Sequence, residues 1–336
     1  MKAEWLRQHK KEELLRMSTR TMICLHGFTS EQQEAINRIA PDWEIHYGRT
    51  ADIDPEIYRR AEIVCGWNGD AARECLKPDA KLHWVQTWSA GVDKLPLDEF
   101  RRRGILLTDA GGVHPAPVAE TTLALMLGLT RGIHRAVRDQ ATGAWNPPPA
   151  LPEMYGKTAV IVGAGSIGAR IGELAQAFGM RTLGVRRSEG TAAGIDVMYK
   201  LDRLDEALAE SDYVINVLPG TAATHHLFNA DRFANMKPEA LFINVGRGSS
   251  VDTDVLIAAL QSGVIAGAGL DVFEVEPLPS DHPLWKLDNV ILTPHTAGQT
   301  DQLKARVAAL FADNLSRYLD EGAGKMLNLV DYDTGY

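Results

Sequence analysis

Apolar positions in this chain fall into short β-branched runs separated by stretches with helical spacing, and that rhythm organises the sequence. In the first third it predicts strands at 21–25, 44–46, 61–65, 82–86 and 105–107, a helix over 31–39 and a turn at Trp67-Asn68-Gly69-Asp70. Short strands alternating with helices read as a small parallel α/β unit. Asp109-Ala110-Gly111-Gly112-Val113-His114-Pro115 interrupts the rhythm and marks a hinge. Pro117 suits the first turn of a helix, and 118–129 continues as a long apolar helix with two candidate burial sites, a domain seam and a dimer interface. Trp145 and Pro147-Pro148-Pro149 predict a stiff connector.

The rhythm then resumes. Strands are predicted at 159–162, 181–185, 213–218, 240–245, 267–272 and 290–293, with helices at 169–177, 204–210 and 254–262. Pro294-His295-Thr296-Ala297-Gly298 is a second break, and 302–319 a final amphipathic helix. The expected fold class is therefore α/β, with two doubly wound parallel-sheet domains, a Rossmann nucleotide domain inserted into a flavodoxin-like substrate domain. Two breaks flanking one unit place the substrate-binding domain in residues 1–114 and 298–336 and the dinucleotide-binding domain in 115–297. Residues 1–20 are charged and lack the apolar core of a signal peptide; they read as an extension, with Trp5, Leu6, Leu14 and Leu15 on one face of a short helix as the alternative.

The strand at 159–162 runs directly into Gly163-x-Gly165-x-x-Gly168 and a helix, the context that turns a glycine pattern into a dinucleotide site. Gly163 permits the tight turn, Gly165 lets backbone approach a pyrophosphate, and Gly168 lets helix and strand pack closely. The N–H groups and positive dipole end of the helix face the phosphates.

Composition changes this picture little. A net charge of −9 over 336 residues argues against a general nucleic-acid binder, and no apolar run approaches membrane-spanning length. Cys24, Cys65 and Cys75 show neither Cys-x-x-Cys nor His/Cys metal spacing, so no metal is expected and the cysteines fit free thiols in a reducing cytoplasm.

Charge matters locally. In a nucleotide unit an Asp or Glu at the end of the second strand holds the ribose hydroxyls of NAD. Here that strand ends Gly184-Val185-Arg186-Arg187-Ser188. Two guanidinium groups and a hydroxyl suit a 2′-phosphate, so NADP(H) is the expected cofactor, with NAD(H) possible if Glu189 serves the ribose.

Three polar groups sit just past predicted strand ends, where open α/β sheets bind ligands: Arg247 in Asn244-Val245-Gly246-Arg247-Gly248, Glu276 in Asp271-Val272-Phe273-Glu274-Val275-Glu276-Pro277, and His295 after Pro294. Reducing a 2-keto acid needs a cation for the carboxylate, a proton for the ketone oxygen and a hydride for its carbon. Arg247 supplies a forked contact to the carboxylate. His295, of a type with reference pKa about 6.5, supplies the proton. Glu276 bonds the other ring nitrogen and favours the charged imidazole.

With these motifs assembled, the chain resembles the D-isomer-specific 2-hydroxyacid dehydrogenase family from about Thr21 onward. Ser89-Ala90-Gly91-Val92-Asp93, Val118-Ala119-Glu120, the glycine loop, Asn244–Gly248, Leu270-Asp271-Val272-Phe273 with Glu276-Pro277-Leu278, and Thr293-Pro294-His295 carry the resemblance. It implies Arg247, Glu276 and His295 as the catalytic trio, and backbone amides of Ala90 and Gly91 on the substrate carboxylate beside Arg247 and His295. It further implies Ser166 and Ile167 along the pyrophosphate, Leu218 and Pro219 beside the adenosine, Asp271 on the nicotinamide amide, and Val245, Gly246 and Gly298 among the cofactor contacts. A homodimer through the nucleotide domains is implied, with the 118–129 helix and the Trp145 segment in its seam. Arg186 stands where many members carry the ribose-binding Asp. Trp67, Asn68 and Trp88 are bulky for a substrate pocket and suggest glyoxylate, hydroxypyruvate or pyruvate, unless they pack the domain core. His114, in the hinge, is either near the substrate or a turn residue. The expected product is the D-2-hydroxy acid. The alternative is a nucleotide-sensing, corepressor-like binding protein on the same scaffold; a formate dehydrogenase is disfavoured by Glu276 before Pro277.

Overall fold

The computed structural model describes residues 20–25, 27–48, 52–187 and 190–333. The readings on Trp5, Leu6, Leu14, Leu15, Ser188 and Glu189 lie outside the described residues. Two units are formed: described residues up to Val113 with those from Asp301 onward, and His114–Thr300.

The first unit comprises β1 (Thr21–Leu25), α1 (Ser30–Ile39), β2 (Glu44–Gly48), α2 (Pro55–Arg60), β3 (Ala61–Cys65), α3 (Gly69–Cys75), β4 (Trp84–Gln86), α4 (Leu97–Arg103) and β5 (Leu106–Thr108). Its five strands are parallel in the order β2-β1-β3-β4-β5. All five β1 residues are buried, which is why this strand reads as an unbroken apolar run. Thr29 and Gln32 form a reciprocal cap at the start of α1. The short helices α2, α3 and α4 carry too few turns for periodicity to reveal them. The segment expected as a turn at 67–70 instead opens α3, where Asn68 accepts the N–H groups of Asp70 and Ala71. Trp67 sits edge-on to Phe100 with ring centroids 5.0 Å apart, and Trp88 stacks on Phe28 at 5.6 Å. Both tryptophans are partly buried and pack against apolar clusters of this unit, in keeping with the core-packing alternative. Cys24, Cys65 and Cys75 are buried free thiols; burial pushes the Cys75 thiol up to about 12.

The second unit comprises α5 (Pro115–Thr130), α6 (Ile133–Thr142), β6 (Thr158–Val162), α7 (Ser166–Ala177), β7 (Arg181–Arg186), β8 (Val197–Lys200), α8 (Leu204–Glu210), β9 (Tyr213–Asn216), α9 (Ala230–Ala234), β10 (Leu241–Asn244), α10 (Thr253–Ser262), β11 (Gly267–Leu270) and β12 (Val290–Leu292). Seven parallel strands run β12-β11-β10-β9-β6-β7-β8. The order reverses between β6 and β9, the switch point at which such sheets bind nucleotides. Helix α5 corrects an expectation. Val118, Ala119, Leu123, Leu125 and Met126 pack with Ile161, Ile171, Ile215 and Ile243, so the helix is buried against its own sheet and α7. That burial within its own unit accounts for most of its apolar positions, while Glu120 and Ala124 stay exposed.

The chain returns to the first unit as α11 (Leu303–Asp320). Its buried Asn314 donates to Gln86 Oε1 at 3.1 Å, and Thr108 Oγ1 donates to the same oxygen at 2.8 Å. That buried polar knot ties the returning segment to β4 and β5. Among the described residues, no helix is long and apolar enough to cross a membrane.

Candidate functional site

Register sets the site. Val162, Asn216, Asn244, Leu270 and Leu292 are consecutive strand partners, so β6, β9, β10, β11 and β12 end level. The loops that follow begin along one edge, and the predicted strands at 213–218, 240–245 and 267–272 overran it. Successive loops touch through glycines. A Cβ on Gly163, whose φ is +103°, would lie 2.9 Å from the Val217 backbone, and one on Gly246 would lie 2.7 Å from the Leu218 carbonyl. A Cβ on Gly248 would overlap the Phe273 carbonyl. Bulk at any of these points would force neighbouring loops apart.

The glycine loop is shaped for a phosphate. Gly165 precedes α7, whose first N–H groups have no side-chain cap, and a Cβ there would meet nothing within 4 Å. Ser166 and Ile167 are the first two helical residues. Open space at a free helix N-terminus fits the pyrophosphate of a dinucleotide. Gly168 does the opposite job: a Cβ would lie 2.6 Å from the Gly163 carbonyl and 2.9 Å from Ile161. Gly168→Ala should therefore cost about 1–3 kcal/mol through overpacking, read as a lowered Tm in thermal unfolding.

Arg186 ends β7 level with Lys200 of β8, and Arg187 follows, exposed. Among the described residues, then, the strand end is cationic. Leu218 and Val245 are only 9% and 8% exposed and belong to the core, so their loops present backbone and, at Pro219, an exposed ring. Gly298 accepts a hydrogen bond from His114 Nδ1 at 3.2 Å, which joins the two chain breaks. Ala90 and Gly91 lie in the first unit, in the turn after β4, where Ser89 Oγ donates to the Gly91 carbonyl.

Arg247, Glu276 and His295 follow the level ends of β10, β11 and β12. The Arg247 carbonyl accepts Ser250 Oγ at 2.6 Å and Asn244 Nδ2 at 3.2 Å. Asn244 and Ser250 are in turn held by Asn216 Nδ2, at 2.9 and 2.6 Å. All three network residues are buried. His295 adopts φ +54° while its N–H donates to the Asp271 carbonyl at 2.8 Å. Its ring Nδ1 lies 2.9 and 3.0 Å from the two Glu276 oxygens. A carboxylate there puts the proton on Nδ1 and leaves Nε2 as the other working nitrogen. Glu276 also accepts the Phe273 N–H at 3.1 Å.

Two features escaped the sequence reading. Asp271, 1% exposed, accepts Thr293 Oγ1 at 2.6 Å and the N–H groups of Thr296 and Ala297 at 2.9 and 3.0 Å. It shapes the loop that carries His295, where the resemblance implied only a nicotinamide contact. The Asn216–Asn244–Ser250 network was also unforeseen, since three small polar residues far apart in sequence leave no local pattern. Among the described residues, no cluster of three or more His, Cys, Asp or Glu is arranged to hold a metal.

Comparison with known proteins adds a family. A family model described as D-isomer specific 2-hydroxyacid dehydrogenase, NAD binding domain, matches residues 123–297. A glyoxylate/hydroxypyruvate reductase B of Shigella boydii is 37% identical over 295 residues, spanning 84% of this chain and 90% of that protein. The crystal structure of a D-isomer specific 2-hydroxyacid dehydrogenase family protein from Aeromonas salmonicida matches with TM-score 0.82 at 35% identity, covering 94% of this chain and all of that one. A D-isomer specific 2-hydroxyacid dehydrogenase from Xanthobacter autotrophicus, in complex with NADPH and MES, matches at 0.78 and 30% identity, over 95% of this chain and all of that one.

Proposed function

Because this chain belongs to the D-isomer-specific 2-hydroxyacid dehydrogenase family and so works with a nicotinamide cofactor, we propose that it is an NADPH-dependent reductase of a small 2-keto acid, of the glyoxylate, hydroxypyruvate or pyruvate class, yielding the D-2-hydroxy acid. The observation that carries the reading is the His295–Glu276 contact on strand ends level with that of Arg247. When bound, the reduced nicotinamide supplies the hydride. Arg247 takes the substrate carboxylate in a forked contact. His295 Nε2–H donates its proton to the ketone oxygen as that oxygen becomes a hydroxyl, and the ring regains a proton from water. Glu276 orients the ring and fixes its tautomer, while Asp271 holds the His295 loop in place. The substrate class rests on the name of the Shigella relative. NADPH oxidation measured with a panel of 2-keto acids tests the reading. Turnover of glyoxylate or hydroxypyruvate is expected; silence across the panel would favour the corepressor-like alternative.

Cofactor preference rests on Arg186 and Arg187, supported by Lys200 and by the NADPH bound to the Xanthobacter protein. Arg186→Asp with Arg187→Ala removes two cations from the 2′-phosphate and offers the ribose a carboxylate. The NADPH/NADH ratio of kcat/KM should fall by about 10–100-fold, taking roughly 1.4 kcal/mol per tenfold. An unchanged ratio would place phosphate recognition elsewhere. The homodimer reading moves from α5 to α6 and the segment after it, where Ile133, Val137 and Trp145 are 54%, 58% and 92% exposed.

A further inference from the structure

Glu274 stands two residues before Glu276, and no role above uses it. Its carboxylate reaches two other segments. One oxygen accepts His226 Nε2 at 2.6 Å, and the other accepts the N–H of Thr253, the first residue of α10, at 2.9 Å. Burial pushes the Glu274 carboxyl up, but the bonds from Thr253 and His226 outweigh it and hold the group below its ordinary value.

His226 is itself held under constraint. Its φ of +47° is unfavourable for a side-chain-bearing residue and persists only where the surroundings impose it. Those surroundings are the turn that carries Arg247. His226 N–H donates to the Ser249 carbonyl at 2.9 Å, Phe228 N–H to the Ser250 carbonyl at 2.9 Å, and Asp252 N–H returns to the Phe228 carbonyl at 3.1 Å. The His225 ring stacks on His226 with centroids 4.0 Å apart, and Asp252 Oδ2 lies 3.9 Å from the other His226 nitrogen. Phe273 and Leu278 pack on the core at the two ends of the Glu276 loop, whereas Val275 between them is 63% exposed. At the apex, polar contacts supply the hold.

We propose that His226 is a positioning residue: its ring, anchored on the Arg247 turn, grips Glu274 and so sets the Glu276 carboxylate against His295. The clasp links two of the three active segments of the proposed reductase, and the inference rests on that reading. Without it the Glu276 loop samples positions in which His295 is misdirected, and small displacements at a proton donor are costly in rate.

The test uses the full-length enzyme with His226→Ala, His226→Gln and Glu274→Gln. His226→Ala should lower kcat on the order of 10-fold, leave NADPH binding by fluorescence titration unchanged, and shift the NMR pH titration of the His295 ring. His226→Gln, which keeps an N–H donor, should recover most of the rate. Glu274→Gln, nearly isosteric, should shift the same titration even if the alanine variant folds poorly. Combining His226→Ala with Glu274→Gln should cost less than the sum of the two, because both disturb the His226–Glu274 contact while Glu274→Gln also disturbs the one to Thr253. A wild-type kcat and an unmoved His295 titration in these variants would overturn the inference, as would equal losses in the alanine and glutamine variants of His226. A wild-type enzyme inert toward every 2-keto acid would instead overturn the reductase reading, with the His295 titration still deciding the clasp.

Discussion

Replacing His295 by alanine should lower kcat for 2-keto acid reduction by about 10²–10⁴-fold, the range that a positioned general acid contributes. The ring is the proton donor in the proposed reaction, and Glu276 against Nδ1 keeps it in the productive tautomer. NADPH affinity should stay within about twofold, because the glycine loop and Arg186 lie on other strand ends. The loop itself should survive, since Asp271 holds it through Thr293, Thr296 and Ala297 rather than through the imidazole. Steady-state kinetics with a cofactor titration separates these effects. Retained turnover would remove His295 from the proton role.

Arg247→Ala should reduce kcat/KM for the keto acid by about 10²–10³-fold, in keeping with the roughly 2–5 kcal/mol lost when one member of a charge-assisted pair is truncated. Most of the loss should appear in KM if the fork binds substrate and transition state alike. The backbone at 247 is pinned by Ser250 and Asn244, so the deletion removes a guanidinium without releasing the turn. Arg247→Lys should recover only part of the activity, because an ammonium keeps the charge and loses the paired donors. A KM near that of wild type in Arg247→Ala would assign the carboxylate to other groups.

Long or fully buried elements were legible in sequence because burial on both faces writes unbroken apolar runs, as in β1 and β6. Short capped helices such as α2 and α3 were not, since a single cap is all that distinguishes them from a turn. The edge strand β8 was missed for a similar reason: half-exposed, it carries a mixed pattern over four residues. Trp67 and Trp88 left two readings open because bulk in sequence does not say which way a side chain faces. Helix α5 misled because an apolar surface does not name what covers it.

By itself the amino-acid order determined the alternation of strands and helices, the glycine turn before α7, the paired cations ending β7, and the placing of Arg247, Glu276 and His295 after strands, because each is written in neighbouring residues. Only the tertiary structure decided that β10, β11 and β12 end level, that Asp271 shapes the His295 loop, and that His226 reaches Glu274 across 48 positions of chain. Those outcomes depend on strand register and on side-chain contacts between remote segments, and neither leaves a local pattern to read.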